Sequence, residues 1–173
     1  MLGKNNMSNI RIISSGNLGA ESAALDAAIR FNIPYGGFTS RGALVPGDRP
    51  TGRYRLDERP FVHPMLLLKA NIARAEGILL FSGGELPPRL ESIKREAQAQ
   101  RQPCLHVDFA AATPDKAAFR IAAWIQENNL ASLCVSGTDL REDHSIYPSV
   151  HDTMSALFLL GSNAAPTPGE TLH

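Results

Sequence analysis

No apolar run among the 173 residues approaches the roughly 20 needed to cross a bilayer, which argues against a membrane-spanning helix. The opening stretch, Met1-Leu-Gly-Lys-Asn-Asn-Met-Ser-Asn9, lacks the apolar centre of a secretory leader. Cysteine is scarce. Cys104 and Cys134 each sit inside an apolar run, as expected of buried thiols in a reducing compartment, so the cytoplasm is the expected location. Neither sign of charge is in excess: seventeen basic and seventeen acidic side chains cancel, which weighs against a nucleic-acid binder working by phosphate neutralisation. Two familiar chemical spacings are also missing. The glycines near the start are spaced G-x-x-G rather than G-x-G-x-x-G, and neither His144 nor His151 belongs to an H-E-x-x-H pair. Both histidines are accounted for by a solvated helix.

What is present is ordinary in bulk and specific in arrangement. An apolar content of 43% and a charged content of 20% suit one soluble domain, long enough to bury a core. Thirteen of the seventeen bases are arginine, and Arg41, Arg49, Arg53, Arg55 and Arg59 share one Gly/Pro-interrupted segment. Arginine offers a rigid fork suited to carboxylate, phosphate or another oxyanion, although local ion pairs to Asp48, Asp57 and Glu58 explain such a loop equally well.

The most telling stretch is Asn9-Ile-Arg-Ile-Ile-Ser-Ser-Gly-Asn-Leu-Gly19, running directly into the alanine-rich Ala20–Arg30. A β-branched run, a Ser/Gly turn and a helix in that order form the entry of an anion- or nucleotide-binding α/β fold. Further strands are predicted at Ile33–Phe38, Ile78–Phe81, Pro103–Phe109 and Leu133–Ser136. Helices are predicted from Gly19 to Phe31, from Pro64 to about Ala75 with Gly77 as its stop, and after Pro87-Pro88. Two more are expected, one behind the Thr113 cap and one from Ser145 to Leu160, ended by Gly161. Thr39–Pro60 reads as a long irregular excursion. The alternation predicts a doubly wound, mainly parallel sheet of about five strands with helices on both faces. One domain is expected over 10–161, between a disordered start (1–9) and a flexible tail (162–173). In such sheets ligands bind beyond the carboxyl ends of the strands. Those ends are Ser14-Ser-Gly16, Tyr35-Gly-Gly37, Ser82-Gly-Gly84, Asp108 and Ser136-Gly137, and most are small.

Ile13-Ser-Ser-Gly-Asn-Leu-Gly-Ala-Glu-Ser-Ala-Ala-Leu-Asp-Ala-Ala28 resembles the S-G-G-Q-T-G-A-D-R-A-A-L-D-A-A signature of the "putative molybdenum carrier" family, Rossmann-like proteins related to the lysine-decarboxylase-like (LOG) nucleotide hydrolases. Ile33-Pro-Tyr-Gly-Gly-Phe38 with Arg41-Gly42 is similar to its I-P-Y-G-G-W and K-G elements. Asn71, Gly77–Ser82, Gly84-Glu-Leu86, Pro103–Asp108, Val135-Ser-Gly137 and Ile146-Tyr147 follow in the family's order, over about residues 10 to 160. The departures are equally definite. Gln-Thr becomes Asn17-Leu18, Asp-Arg becomes Glu21-Ser22, and an Arg-Thr pair becomes Leu67-Leu68. A G-G-T turn becomes Pro87-Pro88-Arg89, and P-R-E-S becomes Thr138-Asp-Leu-Arg141.

The resemblance implies a carrier-like protein binding a small anionic, pterin- or nucleotide-like ligand, either molybdenum cofactor (molybdopterin) or a nucleotide, and a homo-oligomer. No nucleic-acid or membrane partner is expected. The expected binding residues are Ser15, Gly16, Asn17, Leu18 and Gly19, the backbones of Gly36 and Gly37, and Ser82, Gly83 and Gly84. Asp108 and Gly137 complete the strand ends, and Arg41 is the cation nearest to them. No catalytic or metal-ligating residue is assigned. Cys104, His106 and Asp108 alternate on one strand face, but such residues in a covered sheet are more often core than metal ligands. Two alternatives stay open. One is a nucleotide N-glycosidase like the LOG hydrolases, with Glu21 or Glu85, the acids beside the glycine turns, as base or orienting group; against it, Gly83-Gly84-Glu85 lacks the G-T of the LOG G-G-x-G-T-x-x-E signature. The other is a regulatory module that kept the fold and lost the site.

Overall fold

In the strand Gly77–Ser82 every residue is buried, so the segment has no face left for water. Leu79 and Phe81 point into one apolar cluster, and Ile78 and Leu80 into another on the opposite side. That is the packing expected when a parallel strand is covered by helices on both faces. The chain around it, a computed structural model describing residues 6–40, 53–60 and 63–163, supplies those helices.

In order, the elements are β1 (Arg11–Ile13), α1 (Ala20–Arg30), β2 (Tyr35–Gly36), β3 (Phe38–Ser40), β4 (Asp57–Arg59), α2 (Pro64–Ile72), β5 (Gly77–Ser82), α3 (Pro88–Ala99), β6 (Cys104–Asp108), α4 (Pro114–Glu127), β7 (Ser132–Gly137) and α5 (Ile146–Asn163). A 3-10 turn at Asn6–Asn9 precedes β1 and buries Met7. Residues of α1, α4 and α5 line one face of the sheet, with α5 packed against both other helices. Leu68 of α2 and Leu90, Ile93 and Ala97 of α3 cover the other. Among the described residues no helix is long and apolar enough to cross a membrane.

The predicted five-stranded parallel α/β sheet is present, in the order β2-β1-β7-β5-β6 with every pairing parallel. Counted from β7 and continuing through β1, β2, β5 and β6, this is the order 3-2-1-4-5 of a doubly wound sheet. The direction of winding therefore reverses between β7 and β5. The crevice where such a sheet binds ligands lies beyond the carboxyl ends of those two strands.

Local differences from the predicted elements have identifiable causes. Thr39–Pro60 contains β4, which pairs in parallel with β3 as a separate two-stranded sheet. The Phe38 ring there lies under two guanidiniums, Arg59 and Arg74, each 4.7 Å from its centroid. Pairing across so long a gap leaves no local pattern to read. Gly77 is not a helix stop but the first residue of β5, where a Cβ would lie 2.7 Å from Leu130 Cδ1. Gly161 likewise sits inside α5, which runs on to Asn163. Its missing side chain admits Met7, whose Cβ would be 3.1 Å from a Cβ at 161. Thr113 does precede α4, but its side chain makes no capping hydrogen bond.

Candidate functional site

The turn between β1 and α1 has the backbone shape expected of an anion loop. Gly16 and Gly19 adopt φ of 77° and 124°, in the region that favours glycine. Its donors, however, point largely at the chain itself. The Asn17 N–H donates to Glu21 Oε2 at 3.0 Å, the Gly19 N–H to Ser22 Oγ at 3.1 Å, and the Ala20 N–H to the Thr138 carbonyl at 3.2 Å. The other Glu21 oxygen accepts the Ser136 hydroxyl at 2.9 Å. Glu21 is buried, and this burial raises its carboxyl above the ordinary value, against the pull of those hydrogen bonds and of the Arg89 charge. An internal carboxyl thus occupies the helix N-terminus where a ligand's anion was expected. The Asn17 side chain is exposed and also hydrogen-bonds Glu21; Leu18 is 36% exposed. Ser15 is buried.

Tyr54 lies across this turn. A Cβ at Gly16 would be 3.0 Å from Tyr54 Cδ2. The Tyr54 hydroxyl donates to Asp26 Oδ1 at 2.8 Å, the Tyr147 hydroxyl to Asp26 Oδ2, and Arg53 pairs with Asp26 at 2.8 Å. Burial, then the Asp26 carboxylate, raises both phenols, Tyr147 to about 12. Sequence reasoning missed this cluster. Its one signal was a carboxylate, Asp26, inside an alanine-rich helix whose faces are nearly all buried.

The remaining strand ends are held as tightly. Asn71, fully buried, donates from Nδ2 to Ser15 Oγ at 2.8 Å and to the Phe38 carbonyl at 3.0 Å, and accepts the Phe38 N–H at 2.6 Å. What approaches Gly37 is the chain's own Ser14, whose carbonyl would be 2.3 Å from a Cβ, while Arg11 Nη2 would be 2.6 Å from one at Gly36. Asp108 Oδ1 accepts the Gly84 N–H at 2.7 Å and the Ala110 N–H at 2.8 Å, tying together the turns after β5 and β6. Ser82 Oγ is 2.7 Å from His106 Nε2, and burial lowers the His106 pKa. Gly137 packs on β5: a Cβ there would be 2.4 Å from the Phe81 carbonyl. Gly84, at φ 115°, has open space where a Cβ would stand. Arg89 reaches over this end of the sheet, donating to the Gly137 carbonyl at 3.2 Å and pairing with Glu142 at 2.8 Å.

The structure therefore brings Ser15, Gly16, Asn17, Leu18 and Gly19 beside Gly36, Gly37 and Gly137. Ser82, Gly83, Gly84 and Asp108 form a second group across β5 and β6. Arg41 and Arg49 lie outside the described residues. Among the described residues, no group of three or more His, Cys, Asp or Glu stands close enough to share a metal ion.

Comparison with known proteins follows the same outline. Residues 12–158 match the family described as "Circularly permutated YpsA SLOG family". That description agrees with a sheet whose order becomes 3-2-1-4-5 once counted from β7. The chain is also similar to a crystal structure of a "putative molybdenum carrier protein" from Syntrophus aciditrophicus SB. The two share 32% identity and a TM-score of 0.79, over 86% of this chain and 95% of that one. No curated protein matches.

Proposed function

The chain belongs to the circularly permutated YpsA SLOG family, and from that premise we propose that it is a binding protein resembling the molybdenum carriers. It holds one small anionic, pterin- or nucleotide-like molecule beyond the carboxyl ends of β5 and β7. The observation that carries this reading is the sheet order, which reverses between those two strands. Gly84 supports it through space alone: nothing lies within 4 Å of where its side chain would stand, although its N–H is held by Asp108 and its carbonyl by Ser82. With no converging His, Cys, Asp or Glu among the described residues, a molybdenum centre would be recognised through the organic anion that carries it. The free thiols Cys104 and Cys134, both raised by burial, suit a reducing cytoplasm.

The test is a thermal-shift panel of molybdate, tungstate, phosphate, AMP, ADP, GTP and anaerobic molybdopterin extract. A ligand at 100 times its Kd adds about 2.7 kcal/mol, or about 5–11 °C for a chain of this size. A saturable shift with one ligand class, and none with the others, supports the reading. A flat response across the panel overturns it.

One observation favours a second reading. Glu21 is a buried acid beside Ser136 whose carboxyl burial raises above the ordinary value, the direction that suits proton transfer in a glycosidase. Release of free base from a nucleoside monophosphate, lost in Glu21→Gln, would favour a hydrolase over a carrier.

A further inference from the structure

At the mouth of the β5–β7 crevice, α3 begins in a way that removes backbone donors and supplies a cation. Pro87 caps the helix and Pro88 is its first residue, so two N–H groups that a helix N-terminus would offer an anion are absent. The next residue, Arg89, turns its guanidinium across to β7. Nη2 donates to the Gly137 carbonyl at 3.2 Å and to Glu142 Oε2 at 2.8 Å. Nε and Nη1 donate to no group among the described residues, but each two-donor edge of the fork includes Nη2, so a bidentate grip on a ligand opens only when Glu142 lets go. The neighbouring acids have other partners: Asp139 pairs with Arg141, and Asp143 accepts the Ser145 N–H and hydroxyl. The Arg89 and Glu142 side chains are 38% and 34% exposed. An ion pair this accessible to water is held weakly and exchanges easily.

We propose that Arg89 is the oxyanion-holding group of the crevice, and that Glu142 is an internal stand-in which the ligand's oxyanion displaces. This rests on the carrier reading above and names the chemistry the site selects: a phosphate monoester or a free tetrahedral oxyanion, gripped by a guanidinium fork. Glu142 is suited to the exchange. Its Oε2 also accepts the Asp139 N–H at 2.9 Å, so it stays tethered to the loop when Arg89 turns to a ligand.

The experiment is isothermal titration of inorganic phosphate, AMP, GMP and the phosphate-free nucleosides into wild type, Arg89→Ala, Arg89→Lys and Glu142→Gln, at low and high salt. Arg89→Ala is expected to weaken phosphate-bearing ligands about 10- to 100-fold and to leave nucleosides unaffected, with Arg89→Lys in between. Glu142→Gln keeps an acceptor for Asp139 but loses the competing charge, and is expected to tighten the same ligands severalfold. Response to phosphate alone identifies a free-oxyanion site; response only to AMP or GMP identifies a phosphate monoester. Wild-type binding unchanged by Arg89→Ala overturns the role of Arg89 and leaves the carrier reading intact. Weaker binding by Glu142→Gln overturns the stand-in. Wild type that binds none of these probes overturns the oxyanion inference, and the panel with molybdate and molybdopterin then decides the carrier reading separately.

Discussion

Replacing Asn71 by leucine should be among the most damaging single changes on the α2–α3 side of the sheet, although the two side chains share the same branched outline. Asn71 is fully buried and makes three hydrogen bonds, two to the Phe38 backbone and one to Ser15. Leucine would strip all three and leave an N–H, a carbonyl and a hydroxyl without partners. A buried polar group left unsatisfied costs about 1–3 kcal/mol. Phe38 is partly exposed, so the lower half of that range applies, and the sum is about 3–5 kcal/mol. At about 2–4 °C per kcal/mol for a chain this long, Tm should fall by about 6–20 °C. Ser15→Ala removes one partner only and should cost about 1 kcal/mol. Urea unfolding followed by circular dichroism measures both, and the double variant tests the link: with leucine at 71, Ser15→Ala should cost almost nothing. A loss below about 1 kcal/mol for Asn71→Leu, or an unchanged cost of Ser15→Ala in both backgrounds, would refute this account of how β3 is held beside the glycine turn.

Three further outcomes are expected. The Glu21 carboxyl is raised in the fold relative to 4.5, so the native state holds a proton the unfolded chain releases, and stability falls as pH rises from about 4.5 through the native value. Urea unfolding at several pH values should show Glu21→Gln lacking that loss, while His106, lowered by burial, acts oppositely below its ordinary value of 6.5 in both proteins. Gly137→Ala forces a methyl against the Phe81 carbonyl and Ala20; overpacking of this kind costs about 1–3 kcal/mol, and thermal denaturation reads it directly. Ultraviolet titration should find the Tyr147 phenol ionising at about 12, and Asp26→Asn should bring it part of the way back towards 10.

The sequence carries its local information well. Ile78–Phe81 is apolar throughout because both its faces are covered, and the Ser/Gly turn before Ala20 marks where β1 hands over to α1. The helix starts at Pro64, Pro88 and Pro114 were legible for the same reason: proline pre-sets the first turn. Strand order was not legible, because nothing local says that β7 inserts between β1 and β5. The candidate site suffered most from that distance. Gly16 and Gly19 announced a turn with donors, but the acceptors are Glu21, Ser22 and Thr138, and the Glu21 carboxyl is fixed by Ser136, 115 residues away. Glycines read as openings for a ligand proved, at Gly37 and Gly137, to be places where one backbone lies on another. The Asp26 cluster joins residues 28 and 121 positions apart, a separation no spacing rule reaches.

The central place of β7 also sets a clock on the chain's birth. β5 pairs with β6 on one edge and β7 on the other, yet β7 ends at Gly137, roughly 55 residues after Ser82. At about 5–20 residues per second of synthesis, the apolar edge Gly77-Ile-Leu-Leu-Phe-Ser82 waits about 3–11 s for its second partner. An uncharged, β-prone segment with an open edge is a template for pairing with another chain. A growing polypeptide of this kind is therefore open to mispairing at that stage, whereas a version rearranged to begin at β7 would carry its middle strand from the outset.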